Sequence, residues 1–291
     1  LNKDKLLLPI HSHNDYLREI PLFDSLSKGI KSIEADVWLL DDVNNYNEFS
    51  ELYIGHDNVF LTKKQTLTEL YLKPLEKLLD EINCQDNELG ETCKDMNGVF
   101  YNSPEESLYL FIDIKTDADH TYTLLMKKLK DLIFSDYVSY YDFKEDKIVL
   151  GPISIILTGN IPIDLLISEE NKSFYQDGRR YVFIDAPLEL LPKSKSEDSP
   201  YDYSKFSLTA SASLYSITGT EEALDVFNGL SSDQLDSINC KIEAAHSLDL
   251  KTRIWGTPEF PKQIRKRVWQ QLIERKIDLL NVDDLESAYQ F

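Results

Sequence analysis

The chain has 291 residues, 42% hydrophobic and 28% charged, the balance of a globular domain and not of a disordered, collagenous or coiled-coil chain. Its 31 Lys and Arg stand against 51 Asp and Glu, a net charge of −20. That field repels nucleic acid and anionic membranes, and it obliges any anionic substrate to meet a local cation, either a metal or a few focused basic side chains.

No run of about 18 apolar residues occurs, so these residues hold no membrane-spanning helix. Leu1 is not an initiator methionine; an upstream signal peptide or membrane anchor, with a secretory or membrane-anchored address, is compatible with the sequence.

Taken in chain order, Leu6–His13 and Ser32–Leu39 are predicted as the first two strands, and a brief apolar run, Leu52–Ile54, leads into Gly55-His56-Asp57. Pro74 opens a helix marked by Leu75, Leu78, Leu79 and Ile82. The third strand, Leu108–Lys115, is followed by a helix with Tyr122, Leu125, Met126 and Leu129 on one face. Strands at Ile153–Thr158, Tyr181–Ala186 and Ser207–Ser211 come next, then a helix carrying Ile238, Ile242 and Ala245. The strand Thr252–Trp255, a helix after Pro261 carrying Ile264, Val268 and Leu272, and the strand Ile277–Asn281 complete the series. Asp41–Phe49, Asn83–Pro104 and Leu191–Ser204 read as loops.

Eight apolar strands alternating with crossover helices predict an α/β chain of one domain, residues 1–291, folded as a (β/α)8 TIM barrel. An open doubly wound sheet is the competing architecture. It normally carries a glycine-rich phosphate turn after strand one, and none of the ten glycines is spaced that way. Of three cysteines, Cys84 and Cys93 could close a loop in an oxidising compartment, although reduced thiols are the default reading; Cys240 is left over.

Barrel chemistry sits at the C-terminal ends of strands. Side chains alternate along a strand, so Glu34 and Asp36 share one face and would bury two negative charges together. A divalent cation relieves that repulsion, with Asp113 as a third oxygen ligand, and an all-oxygen set that leaves sites to water and substrate favours Mg2+, with Ca2+ the alternative. Lys115, on the face of Asp113, can neutralise a substrate oxygen. His13 and His56 are placed to move protons, one taking a proton from the attacking hydroxyl and the other protonating the leaving oxygen. Asn14 and Trp255 join Lys115 as candidate substrate contacts, Trp255 as a flat floor.

This set describes phosphoryl-ester chemistry. Two other readings stay open: a metal-dependent amidohydrolase, because His11-x-His13 matches a two-histidine metal signature, and a non-catalytic barrel kept for binding. His120 and His246 fall in helical patterns, Arg179-Arg180 at the stability-bearing strand end, and Arg265-Lys266-Arg267 reads as a solvated helix face.

His13, Glu34-x-Asp36, His56-Asp57 followed by Thr66-Leu67-Thr68-Glu69-Leu70, and Asp113-x-Lys115 resemble the phosphatidylinositol phospholipase C-like phosphodiesterase superfamily. That superfamily includes glycerophosphodiester phosphodiesterases and the spider-venom sphingomyelinases D. The stretches Pro9–Tyr16, Glu34–Trp38, Ile156–Asn160 and Thr252–Gly256 are similar to the fungal "altered inheritance of mitochondria protein 6" family. The resemblance implies a barrel with metal ligands at Glu34, Asp36 and Asp113, acid/base histidines at His13 and His56, and a phosphate contact at Lys115. Asn14 stands where glycerophosphodiesterases usually carry Arg. Asp113 replaces their usual Glu, as in the spider enzymes.

Overall fold

The computed structural model describes residues 1–40, 49–83, 96–167, 178–191, 202–219 and 228–291. Cys84, Cys93 and the greater part of the three expected loops lie outside the described residues.

All eight expected strands form, within one or two residues of their expected limits. They are β1 (Leu8–Ser12), β2 (Ile30–Leu39), β3 (Leu108–Ile114), β4 (Ile153–Gly159), β5 (Val182–Pro187), β6 (Ser207–Ser213), β7 (Lys251–Trp255) and β8 (Leu279–Val282). Each neighbours the next in chain order and β1 also pairs β2, so the fold class is the closed, eight-stranded parallel (β/α)8 barrel. Leu52–Ile54 is a short antiparallel strand on β2.

Two compact units make up the chain: Leu1–Leu8 with Asn14–Phe183, and Pro9–His13 with Ile184–Phe291. In the first, β2, β3 and β4 lie in parallel register, with Asp36 beside Asp113 and Asp113 beside Thr158. Ile33, Ala35, Val37, Leu110, Ile112, Ile155 and Leu157 are fully buried. Such continuous burial is what a two-sided parallel sheet requires of its strands.

The helix Lys73–Asn83 begins one residue before Pro74, whose missing N–H costs nothing in a first turn. Leu75 and Leu79 face inward from it, while Ile82 is exposed. The expected helix around Tyr122 spans Ala118–Lys128, capped by Asp117, which accepts from His120 N–H. A small antiparallel sheet of Tyr140–Asp142, Lys147–Val149 and Arg179–Arg180 holds the Arg pair outside the barrel strands.

In the second unit β6, β7, β8 and β1 pair in parallel. The helix Ser232–Ser247 starts with a reciprocal capping box between Ser231 and Gln234 and buries Ile238, Ile242 and Ala245. The helix Lys262–Glu274 buries Ile264, Val268, Trp269 and Leu272.

One expectation fails on this helix. Arg265 is not part of a solvated face but is buried beside Trp269, whereas Lys266 and Arg267 are exposed. The reason is long-range: Glu259 and Asp284 supply carboxylates that compensate a guanidinium in the interior.

Candidate active site

Parallel register and strand alternation together build an acidic pocket in the first unit. Asp36 and Asp113 sit side by side on neighbouring strands, and Glu34 lies two residues back on the same face of β2. One carboxylate oxygen from each of the three lies within 4.8 Å of the others. Glu34 and Asp36 are buried and Asp113 half-buried. Asp113 Oδ1 is buried without a hydrogen-bond partner. An orphaned carboxylate oxygen in a cluster of three acids is what a hard cation would satisfy, and the all-oxygen donor set fits Mg2+ or Ca2+.

Lys115 is the counter-ion in hand. Its Nζ lies 2.7 Å from Asp113 Oδ2 and 3.2 Å from Asp36 Oδ2. Burial works against its charge, but the hydrogen bond to Asp113 and the charges of Asp113 and Asp36 outweigh it and raise its pKa. Asp36 is pushed up, first by burial; Asp113 and Glu34 add to this, against the opposing pull of Lys115 and a Tyr16 hydrogen bond. Tyr16 donates its hydroxyl to Asp36 Oδ2 at 2.9 Å and lies 2.7 Å from the Asn14 side-chain oxygen. Burial, then the charge of Asp36, lifts the phenol far above its ordinary range, so it is a permanent donor.

His56 Nδ1 lies 3.3 Å from Asp36 Oδ2, with the ring 70% exposed. Its loop is set by backbone bonds: Gly55 N–H reaches Asp36 O, and Ile54 N–H reaches Gln65 O. The structure thus brings Glu34, Asp36, Asp113, Lys115, His56 and Asn14 together in one unit. Asn14 takes a left-handed conformation, φ 49°, which turns the chain out of β1. Asp15 is fully buried and accepts from Leu22 N–H and the Tyr71 hydroxyl, which pins this turn.

His13 belongs to the second unit. Its Nδ1 is 2.7 Å from Asp283 Oδ1, just past the end of β8, and its N–H donates to Val282 O. A carboxylate at Nδ1 orients the ring and favours the proton on that nitrogen. Trp255, in the same unit, is 44% exposed and therefore not core.

His11 is fully buried, and its Nε2 lies 2.8 Å from Arg253 Nη1. A guanidinium only donates, so this imidazole accepts at Nε2 and is neutral. That pairing spends the lone pair a metal would need and removes the support for a His11-x-His13 metal pair. Asp185, Ser211 and Asn281 complete the shell around Arg253.

Three residues of consequence escaped the sequence reading. Tyr16 carried no signal beyond its place after the His-rich strand end. Asp283 was signalled weakly, as a carboxylate immediately after the last strand. Gly159 ends β4 with φ +73°, and a side chain there would collide with Asp113.

The sequence profile of the AIM6-like phosphodiesterase domain matches residues 1–185. The chain belongs to this family. The AIM6-like relatives include Altered inheritance of mitochondria protein 6 of Saccharomyces cerevisiae strain S288c, 40% identical over 299 residues, covering 99% of this chain and 72% of the relative. The protein of the same name from Lachancea thermotolerans is 42% identical over 294 residues, covering 96% of this chain and 64% of the relative.

A solved calcium-dependent phosphoinositol-specific phospholipase C from a Pseudomonas species is similar with a TM-score of 0.49 and 14% identity, covering 94% of this chain and 88% of that one. The AIM6-like profile over residues 1–185 and the eight-stranded barrel described above make this chain a barrel of phosphodiesterase type.

Proposed function

We propose that the chain works as one metal-dependent phosphodiesterase domain over residues 1–291, acting on a glycerophosphodiester or (lyso)phospholipid-type substrate. The observation that carries this reading is the convergence of Glu34, Asp36 and Asp113 with an orphaned oxygen among them and Lys115 alongside. These three carboxylates would hold the ion, Mg2+ in this reading with Ca2+ the alternative; when bound it supplies positive charge for the non-bridging phosphate oxygens.

The chain's own groups do the rest. Lys115 binds a non-bridging oxygen and lowers the cost of charge gathering on phosphorus. One of the two imidazoles, His13 or His56, takes the proton from the attacking hydroxyl as the new O–P bond forms. The other, protonated, delivers a proton to the oxygen whose bond to phosphorus breaks. Attack by water gives a phosphomonoester and an alcohol, whereas attack by a neighbouring substrate hydroxyl gives a cyclic phosphate. Asn14 and Trp255 contact the alcohol portion of the substrate.

The test is phosphorus NMR of products from glycerophosphodiesters, lysophospholipids and sphingomyelin with Mg2+ or Ca2+ present. EDTA is expected to stop turnover, and His13→Ala and His56→Ala each to slow it by about 10²–10⁴-fold. Undiminished turnover in the double variant would reject the histidine roles.

A further inference from the structure

Arg265 has no part in the chemistry above, yet the second unit is built to bury its charge. On the helix Lys262–Glu274 it is 4% exposed, its guanidinium stacked 4.9 Å from the centre of the Trp269 ring. Nη1 lies 3.2 Å from Glu259 Oε2 and Nη2 3.2 Å from Asp284 Oδ2. Burying a guanidinium is strongly unfavourable unless its partners are held well, so an arbitrary helix position rarely carries one.

What it holds is the turn after β8. Asp284 is also the cap of the helix Leu285–Tyr289: its Oδ1 accepts from Ser287 N–H at 3.0 Å and its Oδ2 from the Ser287 hydroxyl at 2.6 Å. The adjacent residue, Asp283, accepts from His13 Nδ1. Glu259 feels the charges of both Asp283 and Asp284, with Arg265 opposing them. Without that cation, Glu259 and Asp284 would repel each other and Asp283, and the turn that aims Asp283 at the imidazole would lose its anchor.

We infer that Arg265 is a positioning residue for His13, acting through Asp284 and the neighbouring Asp283 to keep the imidazole protonated at Nδ1. This rests on the reading of His13 as a proton carrier. It concerns how the ring is held, and so can be tested apart from turnover.

Nitrogen-resolved NMR of the histidine rings in the full chain tests it, with His13 assigned by comparison with His13→Ala. The wild-type ring is expected as the Nδ1–H tautomer. In Arg265→Met the Nε2–H form should become the major species, and in Arg265→Lys, which keeps the charge, the Nδ1–H form should be largely restored. Turnover in Arg265→Met should fall by up to about a hundred-fold with KM little changed, and the same substitution made in His13→Ala should cost almost nothing further.

An unchanged His13 tautomer in a folded Arg265→Met protein overturns the inference, as does a wild-type ring already protonated at Nε2. Should Arg265→Met fail to fold, Asp284→Asn reports on the same link, and an unchanged tautomer there overturns it equally. Absence of phosphodiesterase activity in the wild type would reject the proposed function while leaving the tautomer result to decide the role of Arg265.

Discussion

Gly159 and Asp113 are in contact across neighbouring strands so closely that a Cβ at position 159 would stand 2.1 Å from Asp113 Oδ1 and 2.7 Å from the Ile114 carbonyl oxygen. The acidic pocket therefore depends on a glycine with no polar atom of its own. Gly159→Ala is expected to cost about 1–2 kcal/mol from the left-handed backbone alone. It should also weaken Mg2+ or Ca2+ binding by about ten-fold or more by displacing the Asp113 carboxylate. Calorimetric titration and melting with and without the ion separate the two effects; a full ion-dependent rise in Tm in the variant would show that the contact is irrelevant to binding.

Asp36 carries the clearest electrostatic cost of the pocket. Burial lifts its folded carboxyl above the ordinary 3.8, so its contribution to the metal-free chain is favourable below the unfolded value and is lost as pH rises through the folded one. At neutral pH the ionised group is thus a net burden. Asp36→Asn is expected to raise Tm at pH 7 in EDTA and to abolish the rise expected of the wild type with Mg2+. A lower Tm in EDTA would mean that its bonds to Lys115 and Tyr16 outweigh its burial.

Lys115 now serves two carboxylates that a cation would also claim. Lys115→Met should leave cation binding intact or tighter, because three acids lose their internal counter-ion, while turnover falls by roughly 10²–10³-fold as the phosphate loses a donor. Titration calorimetry alongside kinetics checks this, and weaker cation binding in the variant would contradict it.

A stability switch lies away from the pocket. Burial opposes ionisation of Asp278, but hydrogen bonds from His246, Thr252 N–H and the Thr252 hydroxyl prevail and hold its carboxyl below the ordinary 3.8. A depressed folded value means stability that is present above the unfolded pKa and lost as pH falls through the folded one. Asp278→Asn should therefore lower Tm at pH 7 and lower it by less at pH 3. Equal losses at both pH values would exclude the ionic contribution.

Much of this was legible along the chain. The strands were readable because a two-sided parallel strand needs an unbroken apolar run, and Glu34 and Asp36 stood out as the acids that interrupt one. The AIM6-like motifs were readable for the same reason: they cluster at strand ends. Arg265 misled because its neighbours Lys266 and Arg267 are solvated and a charge run on a helix carries no mark of which member turns inward. Asp283 was passed over because its significance depends on a histidine 270 positions away.

By itself the sequence determined the barrel class, the acidic trio and the placement of Lys115 on the face of Asp113, since strand period and alternation are properties of neighbouring residues. Only the tertiary structure decided which carboxylate orients His13, that His11 is spent on Arg253, and that a glycine on β4 makes room for Asp113. Those relations join strands through register and packing, and the distance along the chain between their members leaves no local pattern from which they could be read.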